Sequence, residues 1–195
     1  MRVSGEPRHE TVLVHMILTD QVRPVLAWLE DSTLSVAFAD AEGVVSEHEE
    51  VDQRTCDCCH PVPIQIGDDI GIGYRDAATI DGRTVRDVAF VTGGVNGQTF
   101  ATPSTIADEH WFLEGCPFSG PSVTSGDGEI VVAWMEASLE YTRSVESGHS
   151  FGDSIPLVGD DAGAPREASI AVIDGRLVVA WVNNAGGHVG VWGLS

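Results

Sequence analysis

Four stretches of this chain end in the same kind of strand. Val25 to Asp31, Gly71 to Asp76, Val131 to Ala137 and Val178 to Asn184 each carry an aromatic residue at one position: Trp28, Tyr74, Trp134 or Trp181. Each also has a polar residue two positions later, and each follows a polar or glycine turn with another apolar strand before it. The aromatics are 46, 60 and 47 residues apart. A repeat of about 45 residues, made of short strands rich in Val, Ile and aromatics, is the spacing of propeller blades. No segment shows the helical apolar period. The sequence therefore predicts an all-β chain, a β-propeller of four-stranded antiparallel blades.

The expected organisation is one domain over 1–195, with blades near 11–51, 61–106, 120–158 and 166–194. In the second blade the expected strands are 61–66, 69–76, 84–91 and 99–106. The fourth blade lacks an outer strand, and an unclosed blade leaves an open edge. The expectation is thus about four blades of a six-bladed propeller, or a ring completed by a homo-oligomeric or other partner.

At 195 residues with 43 % hydrophobic content, the chain is long and apolar enough to bury a core. No apolar run approaches the ~20 residues of a membrane span. The first residues show no apolar core of a signal peptide. Thirty acidic residues face ten basic ones, all arginine, for a net charge of -20. Such a balance repels nucleic-acid phosphates and disfavours anionic membranes. It reads as a solvated acidic surface, or as a field suited to cationic ligands and metal ions.

The chemistry concentrates at Cys56, Asp57, Cys58, Cys59 and His60, with a fourth cysteine, Cys116, between Gly115 and Pro117. Four cysteines admit three pairings. A vicinal Cys58–Cys59 bridge is strained, so a disulfide joining Cys116 to one of the other three is expected. The alternatives are a soft-metal site, Cu or Zn, on Cys56, Cys58, Cys59, His60 and Cys116, or redox-active thiols. Adjacent cysteines suggest an oxidising compartment, periplasmic or secreted.

Propeller connectivity assigns these residues to one rim. The loop leading into a blade and the loop between its second and third strands lie on the same face of the disc. Cys56 to His60 leads into the second blade, and Glu114 to Pro117 into the third. Arg75 and Asp76 end one strand of the second blade, and Arg86 and Asp87 begin the next. All four segments should meet. The arginines and aspartates read either as loop-bracing pairs or as an anion- or sugar-binding rim. In the second case Arg75 and Arg86, with Glu114, hold a ligand, and Asp76 or Asp87 handles a proton. Asp57 is a further carboxylate candidate. His15 reads as a core or channel residue and His110 as a neighbour of the rim. The repeated aromatics read as packing between blades.

Ser144 to Phe151, with Glu146, Gly148 and Ser150 between, resembles the Asp-box (S-x-D-x-G-x-T-W) of sialidase-like (BNR) propellers. A second, eroded copy runs from Gly97 to Phe100. The box is a structural turn, its aromatic packing between blades. The ordered set Cys-Asp-Cys-Cys, Tyr-Arg-Asp, Arg-Asp and Gly-Cys-Pro, over roughly residues 55–182, resembles a bacterial branch of sialidase-like proteins. The resemblance implies a glycan ligand and, in an active member, glycoside hydrolysis. The arginine motif that opens sialidases is missing, and Glu140 and Tyr141 are adjacent, so on a strand they point to opposite faces.

Overall fold

The computed structural model describes residues 13–20, 23–95, 99–126, 128–144, 147–157, 165–183 and 189–194. Among these there is no helix, and so none long and apolar enough to cross a membrane. Sheet one holds β1 (Leu13–Leu18), β2 (Pro24–Glu30), β3 (Thr33–Phe38) and β4 (Glu49–Asp52) in chain order. Sheet two holds β5 (Val62–Ile66), β6 (Asp69–Arg75), β9 (Val88–Gly94) and β10 (Ser104–Ala107). Sheet three holds β11 (Ser122–Gly126), β12 (Glu129–Met135), β13 (Leu139–Arg143) and β14 (Ile155–Pro156). Sheet four holds β15 (Pro165–Ile173), β16 (Arg176–Asn183) and β17 (Val189–Leu194). Every pairing is antiparallel.

The sheets stack face to face because their strands alternate apolar residues on both faces. In β12, Val131 and Ala133 pack toward sheet four against Ile170, Val179 and Trp181. Their neighbours Ile130, Val132 and Trp134 point the other way, against Phe90 of sheet two. Sheet two repeats the scheme: Ile70, Ile72 and Tyr74 meet Val25, Ala27 and Leu29 of sheet one. The intervening Gly71 and Gly73 leave room for the other side, where an added Cβ would lie 2.4 Å from the Phe90 ring or 2.6 Å from Val123. Alternation with period two is what lets one thin sheet serve two cores.

The first strands stand beside one another: β1 by β5, β5 by β11, β11 by β15. The sheets thus fan out from a common row. Among the described residues β15 and β1 form no such pair. The far face of sheet one accordingly leaves Val14, Met16 and Leu18 exposed.

Two expectations need correction. The third strand of sheet two is 88–94, not 84–91, because an extra hairpin precedes it: β7 (Ala78–Ile80) and β8 (Arg83–Val85). Its Asp81-Gly82 turn has positive φ at both residues (50° and 74°), the conformation tight hairpins prefer. Trp28, unlike the buried Tyr74, Trp134 and Trp181, lies on the outer face of sheet one. Its ring sits 5.6 Å from His48, because no further sheet covers that side within the described residues.

Candidate functional site

Four segments converge at one end of the sheets. The loop before β5 is tied to the β2–β3 turn, since Thr55 N–H donates to Ser32 O at 3.0 Å and Asp57 Oδ1 accepts the Ser32 N–H at 2.7 Å. It is tied to the end of β6 through Cys56 N–H on Arg75 O at 2.9 Å. Arg86 N–H donates to Trp111 O at 3.0 Å, which brings in the loop before β11. Gly120 seals the two loops together, since a Cβ there would lie 2.4 Å from His60 O.

The sulfurs meet as the topology required. Cys58 and Cys116 form a disulfide, and Cys56 and Cys59 are free and buried. Cys56 Sγ lies 3.4 Å from Cys58 Sγ and 3.3 Å from Cys59 Sγ. Arg86 Nη1 donates to Cys56 Sγ at 2.9 Å. The Cys59 thiol and the two arginines hold Cys56 down to about 6, against the opposing effect of burial. Cys59 is driven upward by its hydrogen bond to Cys56 and by burial. One proton therefore serves the pair near neutrality. His60 stands apart from the sulfur cluster, with its ring 6.5 Å from that of His15. Burial and His15 keep His60 below the usual histidine range. His15, on β1, has Nδ1 3.1 Å from Pro61 O just before β5.

Arg75 is completely buried. Its Nε donates to Ser119 O at 2.7 Å, Nη1 to Arg86 O at 2.8 Å and Nη2 to Met135 O. Its guanidinium also covers the Trp111 ring at 4.7 Å. Each of its three nitrogens donates to a main-chain carbonyl, so Arg75 fastens two loops to the end of β12. Burial lowers its pKa, opposed by Cys59 and Glu136.

Asp76 Oδ1 accepts the Ala77 N–H at 2.7 Å, and its other oxygen is 3.7 Å from the exposed Arg54. Asp87 Oδ1 accepts the Trp111 N–H at 2.8 Å, and Oδ2 is 3.8 Å from His110 Nδ1. Burial raises both carboxyls. Glu114 is exposed on the loop that carries Cys116.

One group escaped the sequence reading. Glu136, at the end of β12, is pushed up to about 8 by burial and by Glu109, with Asp87 adding to the effect. Its Oε1 is buried with no hydrogen-bond partner. The signal was in the repeat itself: Glu136 follows Trp134 by two residues, as Asp76 follows Tyr74.

No protein-family model matches the chain, and neither does any curated protein. Solved structures do match. A GH43 protein from Bacillus licheniformis superposes with a TM-score of 0.56 at 13 % identity, over 92 % of this chain and 38 % of its own. A six-bladed fucose-recognising lectin from Aleuria aurantia gives 0.54 at 11 % identity, over 88 % and 52 %. The Trypanosoma rangeli sialidase gives 0.53 at 10 % identity, over 89 % and 30 %. The chain is a β-propeller. It spans between 30 % and 52 % of the length of these three relatives in fold. Sheets one to four are its blades.

Proposed function

We propose that this propeller is directed at glycans through the rim that carries its Cys-Asp-Cys-Cys, Tyr-Arg-Asp, Arg-Asp and Gly-Cys-Pro segments. The observation that carries the reading is Glu136. Burial and the neighbouring Glu109 and Asp87 push its carboxyl up to about 8, the direction that suits the acid half of a glycosidic acid–base pair. Glu136 donates a proton to the leaving oxygen, and Asp87 or Asp76 provides the second carboxylate. Arg86 and Glu114 border the ligand. The solved relatives in fold include a sialidase, a GH43 protein and a fucose-recognising lectin, which supports the substrate class.

The sialidase-like character rests further on the 144–151 turn. Ser144 and Phe151 close it as a bridge, and Phe151 packs edge-on against Phe90 of the neighbouring blade at 5.3 Å. That is the role an Asp-box aromatic takes, although Glu146 and the Gly97 end of the second copy lie outside the described residues. The exposed apolar row Val14, Met16 and Leu18 supports completion of the ring by further blades or a second copy. A periplasmic or secreted location goes with the Cys58–Cys116 disulfide.

The test is a panel of fluorogenic sialosides, arabinosides and xylosides together with a glycan array. Turnover that falls about 100- to 10,000-fold in Glu136→Gln supports the hydrolase form. Retention on the array without turnover supports the lectin form. The absence of both turnover and retention rejects the proposal.

A further inference from the structure

The glycan reading leaves the sulfur cluster unused, and the inference drawn from that cluster stands independently of it. All four cysteine sulfurs lie within 4.8 Å of one another. A tetrahedral zinc–thiolate centre with Zn–S bonds of ~2.3 Å needs sulfurs about 3.8 Å apart. The gaps from Cys56 Sγ to Cys59 Sγ and to Cys58 Sγ, 3.3 and 3.4 Å, sit just below that edge.

The backbone around them has the form a thiolate centre requires. Cys56 and Cys59 stand at the C-x2-C spacing of zinc knuckles, and Cys59 N–H closes the turn on Cys56 O at 3.0 Å. Main-chain N–H groups point at three of the sulfurs. Cys58 N–H faces Cys56, Ser119 N–H faces Cys59, and Phe118 N–H donates to Cys116 at 3.3 Å. Hydrogen bonds to ligating groups are the outer support that orients a metal site. Arg86 adds a side-chain donor to Cys56 at 2.9 Å. His60 is outside the cluster, so the ligand set is four sulfurs.

We propose that this rim holds a redox-gated site for one zinc ion, ligated by Cys56, Cys58, Cys59 and Cys116 once the Cys58–Cys116 bond is reduced. A dithiol reductant supplies two electrons and two protons. The S–S bond breaks to two thiols, and the reductant leaves as its own disulfide. Each of the four sulfurs binds as a thiolate, and any proton it carries goes to solvent. Four thiolates and Zn(II) sum to two negative charges, which the Arg75 and Arg86 guanidinium groups balance. Cu(I) would leave one further negative charge buried, which is why zinc is the assigned ion. In the reverse step a small-molecule disulfide takes two electrons and leaves as its two thiolates, the Cys58–Cys116 bond re-forms, and the zinc, short of two ligands, is released.

The experiment uses the full chain, reduced without oxygen by a dithiol that is then removed, and titrated with Co(II) alone. The expected result is one equivalent bound, with the charge-transfer intensity of four thiolates and tetrahedral d–d bands, displaced by one equivalent of Zn(II). The untouched oxidised protein should show neither. Arg86→Gln should weaken zinc retention about 10- to 100-fold with ligand bands unchanged. Cys59→Ser tests the ligand count, and the oxidised wild type stands as a control if that variant fails to fold. Binding of equal strength before and after reduction, a spectrum of fewer than four thiolates, or no uptake by folded reduced protein overturns the proposal.

Discussion

Arg86 places Nη1 2.9 Å from the Sγ of Cys56 across 30 residues of sequence. The cation of one loop thereby adds to the Cys59 hydrogen bond in holding down the pKa of a thiol on another. Arg75 joins the same field from below, acting on Cys56, Cys59 and Glu136 together. Sulfur chemistry and carboxyl chemistry share one electrostatic floor in this rim. Changing Arg75 should be felt by both.

Replacing Arg86 with Gln removes the nearest cation from Cys56. The thiol should then titrate above its present value of about 6, moving toward the ordinary 9.0. Ultraviolet thiolate absorbance of the oxidised protein, followed from pH 5 to pH 9, reads this directly. An unchanged titration curve would show that Cys59 alone sets the Cys56 charge.

The Cys58–Cys116 bridge closes a loop of 58 residues between two blades. Chain-entropy arguments assign such a loop about 4 kcal/mol, with ~2–5 kcal/mol as the usual cost of losing a native bridge. Denaturant unfolding with and without reductant should show a lower midpoint after reduction. Zinc added to the reduced protein should restore part of the loss. Equal midpoints in all three conditions would remove both the clip and the metal from the stability of the rim.

Gly120 tests how the two loops are held. Its φ is unexceptional, so the constraint is steric: a methyl would sit 2.4 Å from His60 O. Gly120→Ala should cost about 1–3 kcal/mol by overpacking. It should also loosen the loop that carries Cys116. Thermal unfolding measures the first effect and thiol-exchange rate the second. A variant of wild-type stability would mean that the loops yield without strain.

The repeated aromatics and period-two strands carried most of the fold, because blade packing depends on alternation and turns that a single strand already displays. The hairpin at 78–85 was less legible: its Asp81-Gly82 turn is a local signal, but the surrounding residues also continue a strand pattern. Convergence of Cys116 on the 56–60 loop followed from connectivity, whereas the choice of Cys58 as its partner did not. The use of Arg75 did not, since nothing in a sequence tells whether a guanidinium meets a ligand or three carbonyls. Glu136 was visible as a repeat position, yet its raised pKa arises from burial and from Glu109 on the connection between β10 and β11, a contact that no local pattern encodes.

Glu136 gives the sharpest pH test. Its ordinary value is 4.5 and its folded value about 8. Between these the folded state keeps a proton that the unfolded chain has released, so its contribution to stability falls as pH rises from about 4.5 to about 8 and is level beyond. Glu136→Gln removes that loss. The variant should match the wild type at pH 4 and exceed it at pH 9 by about 1–2 kcal/mol once solvent screening is allowed for. Denaturant curves at the two pH values decide it, and parallel curves would mean that Glu136 ionises without penalty. In that event the carboxyl would lose its claim as the proton donor of the rim, because a group ionised at neutral pH has no proton to give.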